Sequence, residues 1–456
     1  MMSDVSSRDT ARRDPNTPET TAETAPGDTA EDSAGPPQLE HPEHPEHPDD
    51  QVSGGDEPVS AGGSGTRTLT RRERLRRDRR RRWAVAMIAV LSGIAAASAS
   101  GDGTAPAQSS ATSLTGPQGG ASPQADTLLL AHRTDDGTLD LAVVIVSDPA
   151  TRGKAAVMLL PPPTMVQVPA LQTQTLSSLP AFVDDDILAL TIVNATGLRV
   201  DQAIIADDLL LAQLLAPADP MTVEFGRGVR IEDDNGTFGY PEGRHELAPA
   251  DAYRTLLGAE AGGAMAHLVT VQSVLDGWFA RLGRSAVANE TIAVDERAAL
   301  LGAVGGADVL FRSLPVERVD IGDDERFRLL DHEARDLIEQ DFARARIARG
   351  ERPRAELRNG TGTVGITQRA SRFLVPDGIQ VALTDNVPGF GQETTTIIYY
   401  RDEDRGAARR VARALGVGTI VQSAREIDVV DLSVVLGRDF EQAHPELFTP
   451  ATEAGR

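Results

Sequence analysis

Apolar positions gather into runs of strand length at 127–131, 139–146 and 155–160, separated by polar turns at Asp135, Asp136, Gly137 and at 148–153. Such runs bounded by turn residues predict three strands of a core sheet. Beyond them the period lengthens. Residues 184–194 read as a helix, 202–206 as a strand, and 207–215 as a strongly apolar helix with Asp207 at its N-cap; 249–257 and 264–282 keep helical spacing. The alternation predicts an α/β sandwich with helices packed on a central sheet. A short strand at 316–321 and a charged helix from about 325 to 347 complete this region, 125–349. After Gly350 and Pro353 the pattern resets to a strand at 354–358, a helix at 365–374, strands at 380–384 and 394–400, a helix at 406–415 and a closing strand at 431–436. That β-α-β-β-α-β order predicts a small two-layer α/β domain over 353–440, followed by a tail, 441–456.

Ahead of the folded regions lies one uncharged stretch, 83–100, reading WAVAMIAVLSGIAAASAS. At ~1.5 Å per residue it reaches roughly 27 Å, enough for a thin bilayer core. The block 71–82 before it holds nine arginines against Glu73 and Asp78. An arginine excess beside a span stays on the cytoplasmic side, which places 1–82 inside and 101–456 outside a cell membrane crossed once. One alternative is a cleaved signal, since Ala97, Ser98 and Ala99 form an A-x-A site, against which stands a leader of more than 80 residues; the other is a buried helix of a soluble protein, for which the flanks supply no partner to pack against. Residues 1–65 lack aromatics and are rich in Pro, Gly, Ser, Thr and acids, the composition of a disordered tail. Within it, the repeated His-Pro-Glu at 41–48 reads as a solvated low-complexity tract rather than a metal site. The Gly/Ser/Thr/Pro-rich linker at 101–124 reads as a flexible stalk.

The chain has 456 residues and no cysteine, so it allows two folded domains plus tails and excludes disulfides, thiolate catalysis and cysteine metal sites. Lys154 is its sole lysine, and with so much Ala and Arg the composition resembles that of a high-GC bacterium such as an actinobacterium. Of the net charge of −23, residues 1–82 contribute 13 basic and 17 acidic side chains, leaving 32 and 51 beyond them. An outer part of net −19 repels a nucleic-acid backbone, which argues against a nucleic-acid partner. The arginine block is explained by attraction to anionic lipid.

Local pieces of the first region resemble the LytR, CpsA, Psr (LCP) proteins, which join anionic glycopolymers to the bacterial cell wall. The pieces are 125–130 (ADTLLL), 160–164 (LPPPT), and Gly243 followed by Leu247, Ala252 and Tyr253, together with the order of tail, span and extracellular domain. The resemblance implies an LCP-like domain, a basic Pro-Arg-Asp-Thr turn after the third strand, an Arg after the Ala-Tyr helix and an Arg-Gln pair on the next helix. Here the turn reads Pro161, Pro162, Pro163, Thr164; Arg254 lies one position off; and the pair reads Val271, Gln272. Moving a phosphoglycan from a polyprenyl diphosphate needs cations or Mg²⁺ around the diphosphate, and proline brings neither charge nor an N–H. A degenerate, catalytically inactive domain is therefore expected, with no cofactor. Its partners would be a wall polymer, a polyprenyl-linked precursor or an LCP enzyme. The alternative is a divergent phosphotransferase using Mg²⁺ and recruiting Arg152, Arg227, Arg230, Arg244 or Arg254.

Residues 353–440 resemble the LytR C-terminal domain, through 357–362 (LRNGTG), 395–400 and 431–440 (DLSVVLGRDF). That resemblance implies a non-catalytic accessory module.

Two residues stand out as candidates for substrate or metal binding. Asp126 matches a family carboxylate associated with the metal, although an aspartate before a strand is ordinarily a turn residue, and Arg254 is the replacement cation. Asp184, Asp185 and Asp186 read as a helix start, and Asp233, Asp234, Asn235 and Gly236 as a β-turn, since neither run has the spacing of a calcium loop. His245 reads as a surface histidine. Asn359, Gly360, Thr361 and Gly362 read as a tight turn needing positive φ rather than an anion nest. Ile187, Leu188, Leu190 and Ile192 with Leu209, Leu210, Leu211, Leu214 and Leu215 read as one apolar core rather than a lipid tunnel.

Overall fold

The computed structural model describes residues 125–147, 154–169, 171–233, 235–284, 296–321, 324–424 and 429–448. The expected tail, membrane span and stalk lie outside these residues, as do Arg152, Asp234 and the last residues, 449–456. Among the described residues no helix is long and apolar enough to cross a membrane.

The first sheet is built from β1 (Asp126–Arg133), β2 (Leu139–Ser147) and β3 (Lys154–Leu159), the three strands expected from the apolar runs. After them come β4 (Thr164–Gln167), β5 (Thr173–Thr175), α1 (Asp185–Thr196), β6 (Gln202–Ala206) and α2 (Asp208–Leu215). Then follow β7 (Met221–Phe225), β8 (Val229–Asp233), β9 (Gly236–Tyr240), β10 (Gly243–Leu247), α3 (Pro249–Leu257) and β11 (Ala259–Glu260). The domain closes with α4 (Ala264–Leu282), α5 (Glu296–Val304), β12 (Asp308–Ser313), β13 (Val316–Ile321), β14 (Asp324–Leu329) and α6 (Asp331–Asp341). The sheet order is β12-β3-β2-β1-β6. β1 runs parallel to β6 and β3 parallel to β12, with β2 antiparallel to both β1 and β3.

The strands are apolar at nearly every position because both faces are covered. Leu129, Ala131, Val144 and Met158 belong to one buried cluster with α1, whereas Leu128, Leu130, Val143 and Val157 belong to a second with α2, α3, α4 and α5. This is the expected α/β sandwich. The sheet also divides the apolar set that reads as one core in sequence. Ile187, Leu188, Leu190 and Ile192 sit in the first cluster, Leu211 and Leu215 in the second, and Leu209 and Leu210 are exposed.

The expected helix at 325–347 is corrected. Residues 324–329 alternate as DERFRL, pair antiparallel with β13 and bury Phe327, and only α6 and a short 3-10 turn, Ala343–Ala345, are helical. Charge at every second position hides a strand of period two inside a charged segment.

The C-terminal domain contains β15 (Arg354–Asn359), α7 (Ile366–Leu374), β16 (Gln380–Asn386), β17 (Thr396–Tyr399), α8 (Arg405–Leu415), β18 (Thr419–Gln422), β19 (Leu432–Leu436) and α9 (Arg438–Ala443). The expected β-α-β-β-α-β order gains one strand, β18, at the edge of a five-stranded sheet ordered β16-β15-β19-β17-β18, and a short final helix.

The two folded regions share one core. Ala355, Leu357, Ile366 and Val381 join the same buried cluster as α1. Asn194 of α1 donates to Val381 O at 2.9 Å and accepts from Val381 N at 2.8 Å, both buried. Arg352 enters from the connecting segment and donates to Asn194 O at 2.8 Å and to Val193 O at 3.3 Å, the latter shared with the capping N–H of Gly197. Burial pulls the Arg352 guanidinium down to about 10, against the opposing field of Asp331.

Candidate functional site at the carboxyl end of the first sheet

In open α/β sheets ligands collect beyond the carboxyl ends of parallel strands. Here β1, β3, β6 and β12 share one direction, so the rim to inspect holds the end of β1 (His132, Arg133), the turn after β3 (161–163) and the start of α2 after β6 (Asp207, Asp208). Register fixes their neighbourhood. Ala142 of β2 lies opposite Ala131 and accepts from Leu160 N at 3.0 Å, so the proline turn and His132 emerge at the same end, two strands or about 10 Å apart.

The turn offers an anion no N–H donor, since Thr164 N is bonded to Pro161 O. Its prolines have no N–H, and the carbonyls of Pro161, Pro162 and Pro163 accept from Thr164 N (3.0 Å), Ser177 N (2.7 Å) and Phe327 N (3.1 Å).

Beside it, fully buried His132 directs Nε2 to Asp208 Oδ1 at 3.0 Å, and Tyr253 OH donates to that same oxygen at 2.7 Å. An acceptor carboxylate selects the Nε2–H tautomer. His132 Nδ1 is buried without a hydrogen-bond partner among the described residues. Tyr253 packs edge-on against the His132 ring at 6.2 Å. Arg133 donates to Asp185 at 2.8 Å, while Asp184 and Asp207 accept from Ile187 N and Leu210 N, each at 2.8 Å, as N-caps. The rim is thus acidic, and Arg133, its cation, is already paired.

The sequence candidates stand elsewhere. Asp126 is exposed at the opposite, amino end of β1, across from Ser147. Among the described residues no group of three or more His, Asp or Glu side chains is placed to hold a metal ion. Arg254 points away from the rim: its Nε donates to Asp233 Oδ2 at 2.6 Å, and its guanidinium lies 4.2 Å from the centre of the Phe238 ring. Burial works to raise Asp233, but hydrogen bonds from Arg254 and Asn235 N–H outweigh it and hold the carboxyl below its usual range. The hydrogen bond to Asp233 raises Arg254 in turn. Arg227 is ion-paired with Glu260, whereas Arg230 and Arg244 are exposed on strands of two different sheets.

His245 is half-buried rather than superficial, directing Nε2 to Pro241 O at 2.9 Å between Phe225 and Tyr240. Asn235 N donates to Asp233 at 2.7 Å, the expected turn. In the other domain Asn359 Oδ1 accepts from Gly362 N (2.9 Å) and Thr361 N (3.1 Å), and Gly362 has φ 88°. The N–H groups of that turn are consumed internally.

The sequence reading passes over His132 and Asp208. The signal for the first is a histidine continuing four apolar strand residues, Leu128 to Ala131, which buries its imidazole and demands a polar partner. The partner, 76 positions away, carries no such signal.

Residues 353–440 match the family described as LytR cell envelope-related transcriptional attenuator. The matched residues are those of the C-terminal domain, whose sequence resembles that family. Solved structures similar to the chain include Bacillus subtilis TagV, at 13% identity and TM-score 0.43, over 49% of this chain and 98% of that one. A LytR-CPS2A-psr family protein, YwtF (TagT) with bound octaprenyl pyrophosphate lipid, is similar at 13% identity and TM-score 0.39, over 50% of this chain and 93% of that one. A LytR-Csp2A-Psr enzyme from Actinomyces oris is similar at 16% identity and TM-score 0.39, over 48% and 90% respectively. No curated protein sequence matches the chain.

Proposed function

We propose that this is a membrane-anchored protein of the cell envelope, with its folded domains outside the cell. It binds a wall glycopolymer, its lipid-linked precursor or a partner enzyme without transferring the polymer. The LytR-type C-terminal domain supports the envelope assignment. The observation that carries the absence of transfer is the proline turn at the carboxyl end of β3, which has no N–H to offer and whose following amide, Thr164 N, is already bonded to Pro161 O. Stabilising a diphosphate in a transition state takes preorganised donors or cations at the reacting oxygens. Arg254, the candidate replacement, is held by Asp233.

The test incubates the full chain in detergent with a polyprenyl-diphosphate-linked glycopolymer and a peptidoglycan acceptor, with and without Mg²⁺. No release of polyprenyl phosphate, the leaving group when the phosphoglycan passes to the acceptor hydroxyl, is expected above the protein-free control. Release that requires Mg²⁺ and is abolished in Arg254→Gln would establish the divergent phosphotransferase instead.

A further inference from the structure

Arginines of the C-terminal domain fall into two groups. Those of α7 are engaged: Arg369 donates to Leu447 O at 2.7 Å and to Val364 O at 2.7 Å and lies 4.7 Å from the centre of the Phe448 ring, while Arg372 faces Asp184 and Asp186 at 3.8 and 3.9 Å. The acids ahead of α8 are engaged as well. Arg401 holds Glu403 and Asp404 at 3.6 and 3.5 Å, and Asp402 accepts from Gln422 at 2.9 Å.

The arginines on α8 itself are different. Arg405, Arg409 and Arg413 are exposed and make no hydrogen bond or ion pair among the described residues; Arg410, half-buried, has a buried Nε without a partner. Burial raises the Asp377 carboxyl, while the charges of Arg410 and Arg413 work to lower it. Positions i, i+4 and i+8 lie along one side of a helix, so the three exposed guanidinia form a stripe with a step of about 6 Å and a length of about 12 Å. We infer that this stripe is a binding site for a linear polyanion of phosphodiester type, distinct from the rim of the first sheet.

Three observations favour a linear polyanion, and its phosphodiester chemistry rests on the wall polymer of the function proposed above. A single phosphate is held by converging donors, whereas these side chains are spaced along an axis. A lipid surface is disfavoured because Ala407, Ala408, Val411 and Leu415, the apolar side of α8, are buried in the core and leave nothing to insert. Charge complementarity favours this domain over the other: residues 353–440 carry 11 basic and 11 acidic side chains, while 125–352 carry 20 and 36. A polyanion is repelled by the first domain and finds uncommitted cations on the second. The inference goes beyond the function proposed above and shares with it the expectation of an anionic wall polymer.

The experiment titrates the full chain in detergent with poly(glycerol phosphate) at several salt concentrations. It compares wild type, the triple variant Arg405→Gln, Arg409→Gln, Arg413→Gln, and a charge-matched triple in the first domain, Arg326→Gln, Arg328→Gln, Arg335→Gln. Expected are a loss of at least tenfold in affinity for the α8 triple and a slope of log K against log salt smaller by about 2, with the control unchanged. Equal affinity of the α8 triple and wild type, or no binding by wild type, overturns the inference. So does displacement of the polymer by inorganic phosphate at equal phosphate concentration, which would mean a single-anion site. Stronger binding to phosphatidylglycerol vesicles than to the polymer overturns it in favour of a lipid surface. None of these outcomes bears on polymer release from a lipid carrier, so the two readings fail separately.

Discussion

Residues 125–352 carry 20 basic and 36 acidic side chains, whereas 353–440 carry 11 of each, although both regions are α/β folds sharing one buried cluster. In the first domain the arginines nearest the candidate chemistry are consumed locally, Arg133 by Asp185 and Arg254 by Asp233. In the second, α7 spends its arginines on packing and α8 leaves its own exposed. Arginine count is therefore a poor guide to anion binding. What matters is whether a carboxylate reaches the guanidinium before a ligand does, because an exposed pair adds little stability yet removes the charge from use.

The comparison breaks most sharply at the seam between the domains. Asn194→Ala strips both partners from Val381 and is expected to cost about 2–4 kcal/mol, since two buried backbone groups lose their hydrogen bonds. Urea unfolding of the full chain, followed by the fluorescence of buried Trp278 in the first domain and by far-UV circular dichroism, should then show two separated transitions where wild type shows one. A single coincident transition in the variant would mean that the shared apolar cluster suffices without the polar seam.

Removing the acceptor at the rim comes next. Asp208→Ala removes the acceptor shared by His132 Nε2 and Tyr253 OH at a cost of about 2 kcal/mol by thermal unfolding, and no polymer transfer should appear although one acidic charge is gone. Appearance of transfer would mean that Asp208, not the proline turn, suppresses the chemistry.

A smaller effect follows acidification. Burial holds the His267 imidazole below its ordinary value of 6.5, despite its hydrogen bond to Leu256 O and the field of Glu260. The unfolded chain therefore takes up a proton that the folded one refuses. The contribution is fully present above pH 6.5 and is lost as pH falls below it. His267→Gln should flatten the fall in melting temperature between pH 7 and 5, and an unchanged fall would assign it to other groups. The smallest effect belongs to α8. Arg405→Gln, Arg409→Gln and Arg413→Gln together should leave stability within about 0.5 kcal/mol of wild type, because exposed side chains without partners contribute little to folding.

Much of this fold is legible from period and punctuation. The helix at 264–282 has in the structure the bounds its sequence pattern predicts, and Asp184 and Asp207 cap the helices they precede. The β7–β10 region is not legible. Its strands are five residues long, interrupted by Gly226, Gly228, Gly236 and Gly243, and each is recognised only through its partner in another segment. The rim divides the same way. That three prolines cannot present an N–H is visible in the sequence, whereas occupation of their carbonyls depends on Ser177 and Phe327, which only the folded chain brings there. Likewise Arg254 reads as an available cation until Asp233 is placed against it.

The seam also has a mechanical meaning. At ~1.5 Å per residue, α1 is a rod of roughly 18 Å. Near its far end it is gripped by Arg352 and, through its own Asn194, by Val381 of β16, and at its near end by Arg133 from the rim of the first sheet and by Arg372 from α7. A polymer chain pulling on the C-terminal domain would load both ends of that rod at once. The pull would reach the rim as torque on the start of α1, not as slack taken up by a linker.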